Sequence, residues 1–155
     1  MISRTTVLGV GNPIMGDDGV GLALLSAVQT ARPDVDADYV DGGTGGLDLL
    51  PVVEDTGRLL VLDAVAGDTP GTVLRLDGDQ VPRLLAAKLS PHQVGLLDVF
   101  AAARLLGREP AEVVVVGVVP ASVELRLGLS DAVAASVPAA ARLACEIVDD
   151  WCGAA

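Results

Sequence analysis

The period of apolar and polar positions changes several times along the chain, and each change predicts an element. A short β-branched apolar run begins at Thr5 and breaks into a turn containing Gly9, Gly11, Asn12 and Pro13. Val20 to Arg32 carries apolar residues at helical spacing and is closed by Pro33. Val35 to Val40 alternates as a second strand and ends at Asp41; Leu47 to Val53 reads as a short helix. Leu59 to Leu62 is a continuous apolar strand that stops at Asp63, and Thr72 to Leu76 is a more alternating one, suited to a sheet edge. Val81 to Lys88 reads as a short helix, after which Ser90, Pro91 and His92 break the pattern. Gln93 to Leu106 is a strong helix closed by Gly107, and Val113 to Val119 is apolar enough to be a central strand. Ala121 to Leu129 is a loop or a short edge strand. Ser130 and Asp131 can cap a last helix running to about Trp151.

Strands alternating with helices predict an α/β fold, a mostly parallel twisted sheet flanked by helices. In the flavodoxin-like strand order, the ligand crevice lies outside the carboxyl ends of the first and third strands. Asp18 follows the first of these and Asp63 ends the third, so both overlook that crevice. Asp41, ending the second strand, falls on the far side of the first.

Composition narrows the classes. The 155 residues form one expected domain, 1–155, without repeats, linkers or low-complexity tracts. Hydrophobic residues make up 51% and charged residues 20%, which excludes a disordered chain. Aromatics at 2% leave little for stacking on single-stranded nucleic acid, and a net charge of −11 opposes any polyanion. No long uncharged apolar span or signal-peptide pattern is present, so neither membrane insertion nor export is expected. Cys145 and Cys152 on one helix would stand roughly 10 Å apart along its axis, beyond disulfide reach. One core thiol and one tail thiol suit a reducing cytoplasm.

The opening loop invites a dinucleotide reading that its residues reject. Gly9 and Gly11 fit the fingerprint, but its third glycine position holds Ile14. Asp17 and Asp18 would stand where the phosphate should sit. Carboxylates there suit a cation or a water to be activated. Adjacent residues entering a helix diverge by about 100°, so one of the two is expected to serve the helix as cap or dipole partner. His92, the single histidine, can turn toward the cleft from its break between helices. Two carboxylates and an imidazole make an open N,O set for a first-row transition metal, not a closed structural zinc site. The glycine-rich turn Gly42, Gly43, Thr44, Gly45, Gly46 is permissive enough to let an extended peptide approach closely.

Five ordered blocks, GVGNPIMGDDGVG, DGGTGGLDLL, LLVLDAV, SPHQVGLLD and VVVVGVVPASVELRLGLS, together resemble the hydrogenase maturation endopeptidases. The resemblance implies a three-layer α/β fold of the flavodoxin-like or phosphorylase/hydrolase-like kind. It implies an aspartyl-type peptide hydrolase that removes the C-terminal extension of a nickel–iron hydrogenase large-subunit precursor after nickel insertion. The family's metal-contacting acid falls on Asp18, where many members carry Glu, its strand-end Asp on Asp63 and its histidine on His92. The segment Asp41, Gly42, Gly43, Thr44, Gly45 and Gly46 resembles the one associated with substrate recognition. The implied metal is nickel carried by the substrate, with none permanently bound.

Activation of the attacking water is left open between nickel acting as Lewis acid and a carboxylate acting as general base. No serine or cysteine sits in a nucleophile elbow, which disfavours covalent catalysis. Two other classes compete. A signalling receiver domain would use Asp17, Asp18 and Asp63 as its acidic set, with Lys88 the single lysine available. A metal chaperone or storage module would have to manage with one histidine and no clustered cysteines.

Overall fold

In the computed structural model, residues 4–78 and 91–153 are described, the side chains of 91–95 excepted. The strands are β1 (Thr5–Val10), β2 (Asp38–Gly43), β3 (Arg58–Ala64), β4 (Val73–Asp77) and β5 (Glu112–Val118). The helices are α1 (Val20–Ala31), α2 (Leu50–Glu54), α3 (Pro91–Leu105) and α4 (Asp131–Cys152). Short 3-10 turns, Gly16–Gly19 and Gly46–Leu49, lead into α1 and α2.

The sheet order is β2-β1-β3-β5-β4, parallel throughout except for β4, which runs antiparallel to β5 at the edge. The strand predicted to be central, β5, lies inside the sheet, and β4, predicted for an edge, lies at one. Successive side chains of a strand point to opposite faces, which splits the core in two. Val7, Leu60, Leu62, Val114 and Val116 pack under α1 and α4. Leu8, Val10, Leu59, Val61 and Val115 pack under α2 and α3. Every residue of β1 is buried, as a strand covered on both faces requires.

The remaining expectations need adjustment. The second strand starts at Asp38 and takes in Asp41, Gly42 and Gly43, which had been read as its end and the following turn. Its pairing with β1 shifts register between Gly9 and Val10, drawing Gly43 alongside Val10. His92 does not stand in a break: Pro91 and His92 open α3, where proline's missing N–H costs nothing. Ala121–Leu129 is irregular, touching the rest as a strand only at an isolated bridge between Met15 and Arg126. The helix expected at Val81–Lys88 lies outside the described residues. Cys145 and Cys152 are both free on α4, the first buried and the second half-buried.

At the amino-terminal edge of the sheet, charges are paired side chain to side chain. Arg4 bridges Asp38 and Asp55, Arg58 meets Glu112, and Arg32 grips Asp149 with two bonds of 2.8 and 2.9 Å. The Arg32 hydrogen bond and charge hold the Asp149 carboxyl below its ordinary range. Tyr39 donates to the Arg32 carbonyl at 2.6 Å. Among the described residues no helix is long and apolar enough to cross a membrane.

Candidate active site

The carboxyl edge of the sheet is built differently, and its geometry starts with two glycines. Gly11 has φ +139°, and a Cβ there would lie 2.0 Å from the Asp18 carbonyl, so the loop leaving β1 folds tightly back on the acidic turn. Gly21, in the first turn of α1, would place a Cβ 2.2 Å from the Val10 carbonyl and 2.3 Å from that of Leu62. The absent side chain lets α1 sit directly on the ends of β1 and β3. The Gly16–Gly19 turn between them is therefore fixed from both sides, with Asp17 and Asp18 each 1% exposed.

The two adjacent acids have different partners. Asp17 receives the amides of Ala121 at 2.8 Å, Ser122 at 3.3 Å and Ser130 at 2.7 Å, together with the Ser130 hydroxyl at 2.8 Å. Burial pushes this carboxyl up, but the Ser130 bonds and the Ala121 and Ser122 amides outweigh it and hold the acid below its ordinary range. Asp17 thus ties the loop after β5 to the loop after β1. The expectation that one of the pair caps the helix is corrected here: α1 is preceded by Gly19 and has no side-chain cap. Asp18 takes the amide of Asn12 at 3.0 Å, across its own loop.

Asp63 is fully buried at the carboxyl end of β3, level with Gly117 of β5, and accepts the Ala64 amide at 2.7 Å. Strand alternation gives it the parity of Leu59 and Val61, the face covered by α2 and α3. The chain leaves α3 at Leu105 and enters β5 at Glu112, so α3 runs back along the sheet and begins near the carboxyl edge. The backbone of His92 is thereby placed at the same end and on the same face as Asp63; its side chain is outside the described residues. Asp41 is exposed and bonds the Gly43 amide at 3.0 Å. Gly43 in turn accepts the Gly11 amide at 2.9 Å, joining the glycine-rich segment to the loop after β1. Among the described residues, no three His, Cys, Asp or Glu side chains are grouped as around an ion.

Asp18, Asp63 and the start of α3 all lie at the carboxyl edge of the sheet, where carboxylates suit water activation or contact with a metal presented from outside. The profile of the hydrogenase maturation protease family, HycI, matches residues 22–147. The hydrogenase 2 maturation protease of Escherichia coli is 38% identical over 138 residues, covering 86% of this chain and 84% of the relative. The chain belongs to the hydrogenase maturation protease family. The Rhodobacter capsulatus hydrogenase expression/formation protein HupD is 40% identical over 124 residues, 78% of this chain and 59% of HupD. Among solved structures, the hydrogenase maturating endopeptidase HybD of Escherichia coli superposes with a TM-score of 0.88 at 35% identity, covering 95% of this chain and 93% of HybD. The Thermococcus kodakarensis HybD superposes with a TM-score of 0.74 at 27% identity, covering 94% and 99%.

Membership in the maturation protease family settles the competition between classes. The residue that reasoning from sequence undervalued is Asp17. Its role depends on partners 104 to 113 positions away, and an adjacent pair of acids gives no local sign of that.

Proposed function

We propose that this protein is an aspartyl-type endopeptidase that removes the C-terminal extension of a nickel-loaded nickel–iron hydrogenase large-subunit precursor. The observation that carries the reading is the placement of two buried carboxylates, Asp18 in the turn that follows β1 and Asp63 at the end of the neighbouring parallel strand β3, in a chain of this family. Asp18, Asp63 and His92 contact the nickel held by the precursor's own cysteines. The metal arrives as part of the substrate and leaves with the product. Docking of that nickel brings the scissile peptide to the acidic carboxyl edge of the sheet. There the metal polarises the carbonyl or lowers the water's pKa, or a carboxylate takes the water's proton. The segment Asp41 to Gly46 holds the extended peptide beside it.

The test is incubation with nickel-loaded precursor, followed by mass spectrometry for loss of the C-terminal extension. Wild-type protein cuts the loaded precursor and leaves metal-free precursor intact. Efficient cleavage of the metal-free form would remove nickel from recognition, and full cleavage by Asp63→Asn would remove Asp63 from the metal-contacting set.

A further inference from the structure

The segment that Asp17 ties down carries two of the most exposed apolar side chains in the described structure. Leu125 and Leu127 are 77% and 79% exposed, and Ile14, whose carbonyl receives the Arg126 amide at 2.9 Å, is 49% exposed. Exposed leucines on a loose loop would mean little, but this segment is held from several directions. Arg126 also accepts the Gly16 amide at 2.9 Å, Ser122 accepts the Asp17 amide at 3.0 Å, and Ser130 is bonded to the Asp17 carboxylate. Three apolar side chains are therefore presented at a fixed position directly beside the turn that carries Asp18. Glu124 and Arg126 cancel in charge, so this strip is neutral on a chain of net charge −11.

We infer that Ile14, Leu125 and Leu127 form a docking lip for an apolar stretch of the precursor polypeptide next to its cleavage site. The inference rests on the processing reading above. A second copy of this chain is a poor occupant. A stable dimer buries about 800 Å² per partner, far more than three side chains expose. An apolar patch this small serves a partner already held elsewhere, and an endopeptidase must hold its substrate at the adjoining acidic edge. The lip adds affinity and register there, through contacts equally strong in the ground state and the transition state.

The test compares steady-state processing of nickel-loaded precursor by wild type, the double variant L125S/L127S and a matched control, L105S/L106S. Leu105, the last residue of α3, and Leu106 just after it are also exposed but lie toward the opposite edge of the sheet. Uniform binding predicts that L125S/L127S raises KM about tenfold or more with kcat within about twofold, while the control matches wild type. A KM equal to that of wild type, or a fall in kcat alone, overturns the lip. Wild type that dimerises in solution through Leu125 and Leu127 overturns it in favour of a second copy. If wild type leaves loaded precursor whole, the processing reading fails and the lip fails with it. If wild type cuts and the leucine variant cuts equally well at low precursor concentration, only the lip fails.

Discussion

The two edges of the sheet carry similar numbers of acids and treat them in opposite ways. At the amino-terminal edge, Asp38, Asp55, Glu112 and Asp149 are at least partly exposed and matched with Arg4, Arg58 and Arg32. At the carboxyl edge, Asp17, Asp18 and Asp63 are buried, and the partners described for them are backbone amides and one serine hydroxyl. A surface ion pair adds little and can be lost cheaply. A buried carboxylate held by amides is expensive to place and expensive to remove, because its donors are left without acceptors. The difference separates an edge whose charges are solvated and paired with one another from one whose acids are fixed in place by the backbone around them.

Substitutions at the two edges should therefore differ in kind as well as size. The largest effect is expected at Asp63: Asp63→Asn, nearly identical in shape, lowers the processing rate on nickel-loaded precursor by about 10³-fold or more. Circular dichroism should show that its fold is kept. Next comes Asp17→Ala, which strands four donors and lowers unfolding free energy by about 3 kcal/mol in denaturant titration. A loss below about 0.5 kcal/mol would mean the two loops are held together by other contacts.

At the opposite edge the effects shrink. Burial, with the nearby Cys145 and Cys152 thiols adding to it, pushes the Tyr39 hydroxyl up to about 12. An acid raised in the fold contributes stability that is complete below its unfolded value of about 10 and is lost as pH rises through the folded value. Tyr39 is the single tyrosine, so an ultraviolet titration reads it directly and should show its midpoint near 12. The smallest change is expected for Arg32→Ala, which breaks the half-exposed pair with Asp149. It shifts the melting temperature by a few degrees at most, an effect that fades with added salt, and leaves processing intact.

Much of this arrangement was legible along the chain, for identifiable reasons. The strands β1, β3 and β5 are apolar enough that only a doubly covered sheet suits them, and that alone places Asp18 and Asp63 at one edge. The start of α3 was obscured because Pro91 looks like a breaker when it is an opener. Asp41, Gly42 and Gly43 have no strand propensity of their own; they join β2 because β1 is there to pair with. The division of labour between Asp17 and Asp18 was invisible in principle, since it is decided by amides contributed from Ala121, Ser122 and Ser130.

Ser130 links that division to the motions of the molecule. Its hydroxyl donates to Asp17 and accepts the Val133 amide at 3.4 Å, so one oxygen both seals the site loop and caps α4. Opening the loop without uncapping the helix would leave the Ser130 hydroxyl proton without its acceptor. The loop and the first turn of α4 thus belong to one cooperative unit, and in amide exchange the Ser130 and Val133 protons should be released by the same opening event.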